Sequence, residues 1–171
     1  MKISVRRLTL MAVLTAVSLT VFVIEAQFPV SAVGGIKLGL ANIVTLIAML
    51  FIGRREAGIV LALRIILASA FYGTFISFAF SVAGGLAAYT VMCLLINRFD
   101  RKQIWVVSVF GGVFHNFGQI AAACVITGSP AAAGLLPYLI VSGILAGFFT
   151  GICAQRLWFS PLRKFSIKSE K

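Results

Sequence analysis

With 61% hydrophobic and only 11% charged residues among 171, the chain falls well below the roughly 25% charged residues of water-soluble domains. That balance excludes an ordinary soluble fold and indicates an all-α integral membrane protein. The net charge of +11 does not point to nucleic acid, because all but two of the 15 Lys and Arg residues fall in four short hydrophilic segments at the ends of apolar runs, where topology selection and anionic lipid headgroups account for them.

The first apolar run, Leu8 to Ile24, follows Lys2, Arg6 and Arg7. It has the outline of a signal peptide, with Ala26 as a small residue for cleavage, but it exceeds the usual ~7–15 apolar residues and five further runs follow, so a retained helix is expected. Ala12 and Ala16 place small residues four apart near its basic end, with Thr20 next at the same spacing. The second and third runs, Leu38 to Ile52 and Ala57 to Phe71, flank Arg54 and Arg55. Each predicts a short helix of roughly 22 Å, less than the ~30 Å hydrocarbon core. Either their outer ends stop inside the protein, or the loops Gln27 to Lys37 and Tyr72 to Thr74 dip toward a cavity.

The remaining runs are Phe75 to Ile96, Ile104 to Ile126 and Leu135 to Leu157, with Arg98, Arg101 and Lys102 between the first two and Arg156, Arg163, Lys164, Lys168 and Lys171 at the end. Gly143, Gly147 and Gly151 form a double Gly-x-x-x-Gly stripe on the last run, which predicts close approach of a neighbouring backbone. Six helices in one domain, residues 1–171, with both termini cytoplasmic, satisfy the charge pattern. Alternation and turn spacing of a β-barrel are absent from these runs. Cys93, Cys124 and Cys153 lie in apolar stretches without paired spacing and read as small core residues.

The two cations outside the pattern are Lys37 and Arg64. Arg64 lies nine residues beyond Arg55, ~13 Å into the span and near mid-bilayer, where an arginine faces the bundle interior and takes a partner. Asn42 reaches a similar depth on the other arm of the same hairpin, so a hydrogen bond between them is one structural solution. His115-Asn116-Phe117-Gly118-Gln119 is the densest polar group. His115 and Gln119 share a helix face, while Asn116 points about 100° away. Glu25 and Lys37 form either an interfacial salt bridge or the outer mouth of a cavity lined by Asn42, Arg64, His115, Asn116 and Gln119.

The four acids, Glu25, Glu56, Asp100 and Glu170, form no local metal motif, and no Walker, Asp-rich diphosphate-magnesium or His-Glu zinc pattern occurs. A serine nucleophile would need His115 as base, with no carboxylate placed to orient it. Catalysis by this chain is therefore not expected, and no cofactor or metal site is predicted. Active transport would need an energising partner, since no carboxylate lies deeper than Glu25.

Gly35-Ile36-Lys37-Leu38-Gly39-Leu40-Ala41-Asn42, Leu63-Arg64-Ile65, Phe80-Ser81-Val82-Ala83-Gly84-Gly85 and His115-Asn116-Phe117-Gly118-Gln119 together resemble the Gx transporters. That family is also labelled heptaprenyl diphosphate synthase component I and is similar to the substrate-binding S components of energy-coupling factor (ECF) importers. The resemblance spans residues 5–155. It implies a six-helix bundle in the prokaryotic plasma membrane with an outward-facing pocket, docking through Ala12 and Ala16 on a coupling subunit served by two ATPases.

On this reading Lys37, Asn42, Arg64, His115, Asn116 and Gln119 are the candidate contacts to a small-molecule substrate, with Glu25 and Tyr72 at the outer gate. Arg64, His115 and Lys37 favour an anionic or strongly accepting group, while Phe28, Tyr72, Phe75 and Phe117 suit a ring or isoprenoid portion. The alternatives are an accessory membrane subunit of prenyl diphosphate or menaquinone synthesis and a stand-alone small transporter.

Overall fold

The computed structural model describes residues 4–27, 37, 39–72 and 74–167. Its helices are α1 (Val5–Ala26), α2 (Asn42–Phe51), α3 (Arg54–Tyr72), α4 (Phe75–Leu95), α5 (Ile104–Thr127) and α6 (Leu136–Phe159). Short 3-10 turns at Arg101–Gln103, Pro130–Leu135 and Pro161–Phe165 precede α5, precede α6 and follow α6. Among the described residues there is no strand.

Helix boundaries follow local chemistry. Ser4 and Thr74, both extended, accept the backbone N–H of Arg7 and Ser77 and open α1 and α4. Gly128, at φ 61°, ends α5 in the left-handed conformation that favours glycine. Gly39, at φ 80°, sets the turn that delays α2 to Asn42, so this helix has only 10 residues.

The expectation of a short third helix is corrected: α3 has 19 residues, ~28 Å at 1.5 Å per residue. Its first turn is built from Arg54, Arg55 and Glu56, charged residues that end an apolar run without ending a helix. Glu56 is favourable at that position because the helix N-terminus carries partial positive charge.

Among the described residues four helical segments are long and apolar enough to cross a membrane: Val5–Glu25, Phe75–Leu95, Arg101–Thr127 and Pro130–Phe159. Their outer faces are oily, with Val17, Leu86, Leu94, Val125, Leu145 and Phe149 exposed, as suits a multi-pass membrane protein and not a protein solvated by water. By contrast α2 is interior. Eight of its ten residues are buried, and Leu46, Met49 and Leu50 are fully enclosed. It fills the core against Met11 of α1, Val60 of α3, Met92 of α4, Val107 of α5 and Trp158 of α6.

On the other side of the bundle α5 is gripped between α4 and α6. A β-carbon on Gly143 would fall 3.0 Å from the Gly112 carbonyl oxygen, one on Gly147 2.7 Å from Val109 Cα, and one on Gly151 2.5 Å from Trp105 Cα. The glycine stripe of α6 therefore does what its spacing predicts and brings two backbones into contact. Gly118 makes the matching contact on α4, where a β-carbon would lie 2.5 Å from the Ala83 carbonyl oxygen.

The basic segments gather at one end. Arg7 pairs with Glu56 at 3.2 Å, Arg6 donates to the Lys164 carbonyl at 2.9 Å, and the Tyr89 hydroxyl donates to the Arg54 carbonyl at 2.9 Å. The guanidinium groups of Arg101 and Arg163 lie 5.1 and 5.2 Å from the Trp158 ring centre, and the Ser166 hydroxyl ties the last turn to the Phe51 carbonyl.

Candidate functional site

Away from the basic end, α1, α2, α3, α4 and α5 converge on a buried polar cluster. Its organising element is the turn Gly39–Ala41 that opens α2 inside the protein: the carbonyls of these residues take the Asn42, Ile43 and Val44 N–H groups, and their own amides must find an acceptor elsewhere. Glu25, in the last turn of α1, supplies the acceptor: its carboxylate takes the Gly39 N–H, with the Leu40 and Ala41 amides also directed at it. An anion at a helix N-terminus is stabilised by those N–H groups and by the helix dipole.

Lys37, ahead of α2, is fastened to α5 and α4. The Lys37 N–H donates to Gln119 Oε1 at 3.1 Å and its ammonium to Ser77 Oγ at 3.1 Å. The same ammonium lies 3.5 Å from the Phe22 ring centre, a cation–π contact. Burial lowers the Lys37 pKa to about 8, against a raising effect of Glu25 and with a further lowering by Arg64.

Because Gln119 Oε1 is taken by the Lys37 amide, its NH2 group faces His115 Nε2 at 2.8 Å. That assigns His115 as acceptor at Nε2 and places its proton on Nδ1. The imidazole is wedged between two glycines: a β-carbon on Gly39 would lie 2.7 Å from His115 Cδ2, and one on Gly84 2.8 Å from Nδ1. Gly84 and Gly85 sit inside α4, where each costs about 1 kcal/mol relative to alanine. The space they leave is filled by His115 and by Arg64, whose Nη2 lies 3.5 Å from the position of a Gly85 β-carbon.

Arg64 is 3% exposed. Its Nε and Nη2 have no hydrogen-bond partner among the described residues, and neither do Nδ2 and Oδ1 of Asn42. The Asn42–Arg64 hydrogen bond, one of the solutions open from the sequence, is thus not formed. Buried polar groups are nearly always paired, and five of the nine unpaired buried side-chain atoms among the described residues belong to Asn42, Arg64 and His115 of this cluster. Charge singles out the same place: Glu25 carries one negative charge and Lys37 and Arg64 two positive ones, leaving one cation in excess. Glu25 and Arg64 interact electrostatically.

The structure therefore brings together Glu25, Lys37, Asn42, Arg64, His115 and Gln119. It sets Asn116 apart, as the 100° spacing requires: its amide donates to the Leu139 carbonyl of α6. Glu25 is buried, at 3% exposure. The side chain of Tyr72, and Phe28, lie outside the described residues. Phe75 and Phe117 are exposed on the periphery. Ala12 and Ala16 are exposed on α1, separate from the cluster. Sequence reasoning missed Ser77 and the spacing role of Gly39, Gly84 and Gly85, although two adjacent glycines inside an apolar helix are a signal of close approach.

No curated protein and no solved structure matches the chain. The family model described as heptaprenyl diphosphate synthase component I matches residues 14–157, a span that holds every residue of the cluster and Ala16, with Ala12 just ahead of it. The chain belongs to the heptaprenyl diphosphate synthase component I family.

Proposed function

We propose that this chain is a non-catalytic membrane subunit that holds a small anionic or amphipathic molecule, of the isoprenoid-diphosphate or quinone-precursor kind, and serves a partner that performs the chemistry of prenyl diphosphate synthesis. The observation that carries the reading is that Nε and Nη2 of Arg64 and both amide atoms of Asn42 are buried without partners among the described residues, in a cluster with one positive charge in excess. The family description names a component of a synthase, which supports a partner subunit. Prenyl transfer from a diphosphate uses acid-bound magnesium, and the four acids of this chain are spread over Glu25, Glu56, Asp100 and Glu170, so the chemistry is assigned to the partner. In this reading all six helices sit in a prokaryotic plasma membrane, with the basic end and both termini in the cytoplasm. Gentle purification from native membranes should retain a soluble prenyl synthase whose product length changes when this chain is removed, independent of ATP. An unchanged product distribution would overturn the reading.

A second reading, the substrate-binding subunit of an ECF-type importer, is supported by a different observation. Ala12, Ala16 and Thr20 form an exposed stripe of small residues on α1, suited to close packing of a foreign helix. It predicts co-purification with a coupling subunit and two ATPases, lost in Ala12→Trp or Ala16→Trp, and uptake that requires ATP. ATP-independent uptake in proteoliposomes would instead mark a stand-alone transporter.

A further inference from the structure

We propose that the ligand of the Arg64 cluster presents one carboxylate to the edge of the guanidinium formed by Nε and Nη2, and a hydroxyl to the Asn42 amide. This rests on the reading that the cluster is the ligand site, and it names the chemical class: a small hydroxy-carboxylate, not a diphosphate.

The unpaired nitrogens of Arg64 are Nε and Nη2. Their N–H bonds run parallel along one edge of the planar guanidinium, the edge that grips two oxygens of a carboxylate or phosphate at once. A whole bidentate fork is therefore buried and unmatched among the described residues. Glu25, the carboxylate that interacts electrostatically with Arg64, does not fill it. That carboxylate takes the Gly39 N–H, with the Leu40 and Ala41 amides also directed at it. Arg64 is enclosed, so an occupant must part the cluster to reach the fork, and small size is part of the requirement.

Charge decides which oxyanion fits. Glu25 is negative, Lys37 and Arg64 are positive, and His115, an acceptor at Nε2, is neutral, so the cluster lacks one negative charge. A carboxylate supplies one. A phosphate monoester carries about −1.5 to −2 at neutral pH, and a diphosphate carries more. The surplus would be a buried charge without a counter-ion, which is costly.

Asn42 sets the second requirement. Both atoms of its amide are buried without partners among the described residues, so whichever way the amide is turned it offers one donor and one acceptor. A fully ionised oxyanion has nothing to donate, whereas a hydroxyl both donates and accepts. A site with buried polar groups discriminates against an analogue that lacks their partner. Asn42 directly follows the Gly39–Ala41 amides that hold Glu25, and Glu25 in turn interacts with Arg64, so both requirements belong to one cluster.

The test uses the full chain in zwitterionic nanodiscs and equilibrium binding of benzoate, meta- and para-hydroxybenzoate, phenyl phosphate and inorganic diphosphate. Arg64→Lys keeps the charge without the fork, Arg64→Gln removes both, and Asn42→Leu removes the amide at similar volume, with thermal midpoints identifying the folded variants. The expected result in the wild type is saturable binding of a hydroxybenzoate, about tenfold or more tighter than benzoate, phenyl phosphate or diphosphate. Arg64→Lys and Arg64→Gln should each weaken it about tenfold or more, and Asn42→Leu should erase its advantage over benzoate. The wild-type ranking alone tests the proposal where a variant fails to fold. Phenyl phosphate or diphosphate binding best, and lost in Arg64→Gln, overturns the carboxylate and leaves the cluster as a ligand site. Hydroxybenzoate binding equal in the wild type and Arg64→Lys overturns the fork, and an advantage over benzoate that survives Asn42→Leu overturns the hydroxyl. Saturable binding of no probe, or binding untouched by Arg64→Gln, overturns both the inference and the cluster reading.

Discussion

The carboxylate of Glu25 accepts the N–H of Gly39, so the last turn of α1 closes the first turn of α2 from inside the bundle. Removing that acceptor leaves buried amides unpaired, at a cost of about 1–3 kcal/mol. Glu25→Ala should lower the thermal midpoint of the detergent-solubilised protein, and Glu25→Gln, which keeps an acceptor, should lower it less. Because Glu25 also faces Arg64, the double variant Glu25→Gln with Arg64→Gln should be less destabilised than the sum of the two single changes.

Some glycines face side chains, some face backbone and some face nothing. Gly118→Ala would place a carbon 2.5 Å from the Ala83 carbonyl oxygen, whereas Gly134→Ala meets no atom within 4 Å. Overpacking against immobile backbone costs about 1–3 kcal/mol or more. Gly118→Ala and Gly112→Ala should therefore broaden the size-exclusion profile and lower the melting point, with Gly134→Ala indistinguishable from wild type.

Asn116 separates structure from binding. Its amide bonds the Leu139 carbonyl of α6, so Asn116→Ala should reduce stability by about 1–3 kcal/mol. Affinity for inorganic diphosphate in the folded fraction should remain within about twofold of wild type. A loss comparable to that of Arg64→Gln would return Asn116 to the ligand site.

A pH dependence follows from Lys37. Burial lowers its pKa to about 8, so the ammonium predominates below that pH and is lost above it. Glu25, Arg64 and His115 are the other ionisable groups of the cluster, Glu25 favouring the ammonium and Arg64 opposing it. Affinity for an anionic probe should fall as pH rises from 7 to 9, measured by equilibrium binding. Lys37→Arg should flatten the profile, because a guanidinium stays charged across that range.

Much of this was legible in the chain. Six apolar runs predicted six helices within a few residues, because burial in lipid demands continuous apolar sequence. The exceptions have physical reasons. Helix α3 extends through Arg54–Glu56 because hydropathy marks where a helix is oily, not where its hydrogen bonds begin. Helix α2 begins only at Asn42 because of the left-handed Gly39. Arg64 and the His115–Gln119 face stood out as polar residues in apolar runs, and the divergence of Asn116 followed from helical spacing. The capping of α2 by Glu25, the cradle of Gly39, Gly84 and Gly85, and the unpaired state of Asn42 were invisible, since each depends on which helices become neighbours.

The backbone contacts of Gly112, Gly118, Gly143, Gly147 and Gly151 have a mechanical consequence. Helices touching through main chain cannot slide without steric overlap, so α4, α5 and α6 act as a stator. The strain of admitting a guest to a closed cluster falls on the other half, α1 to α3.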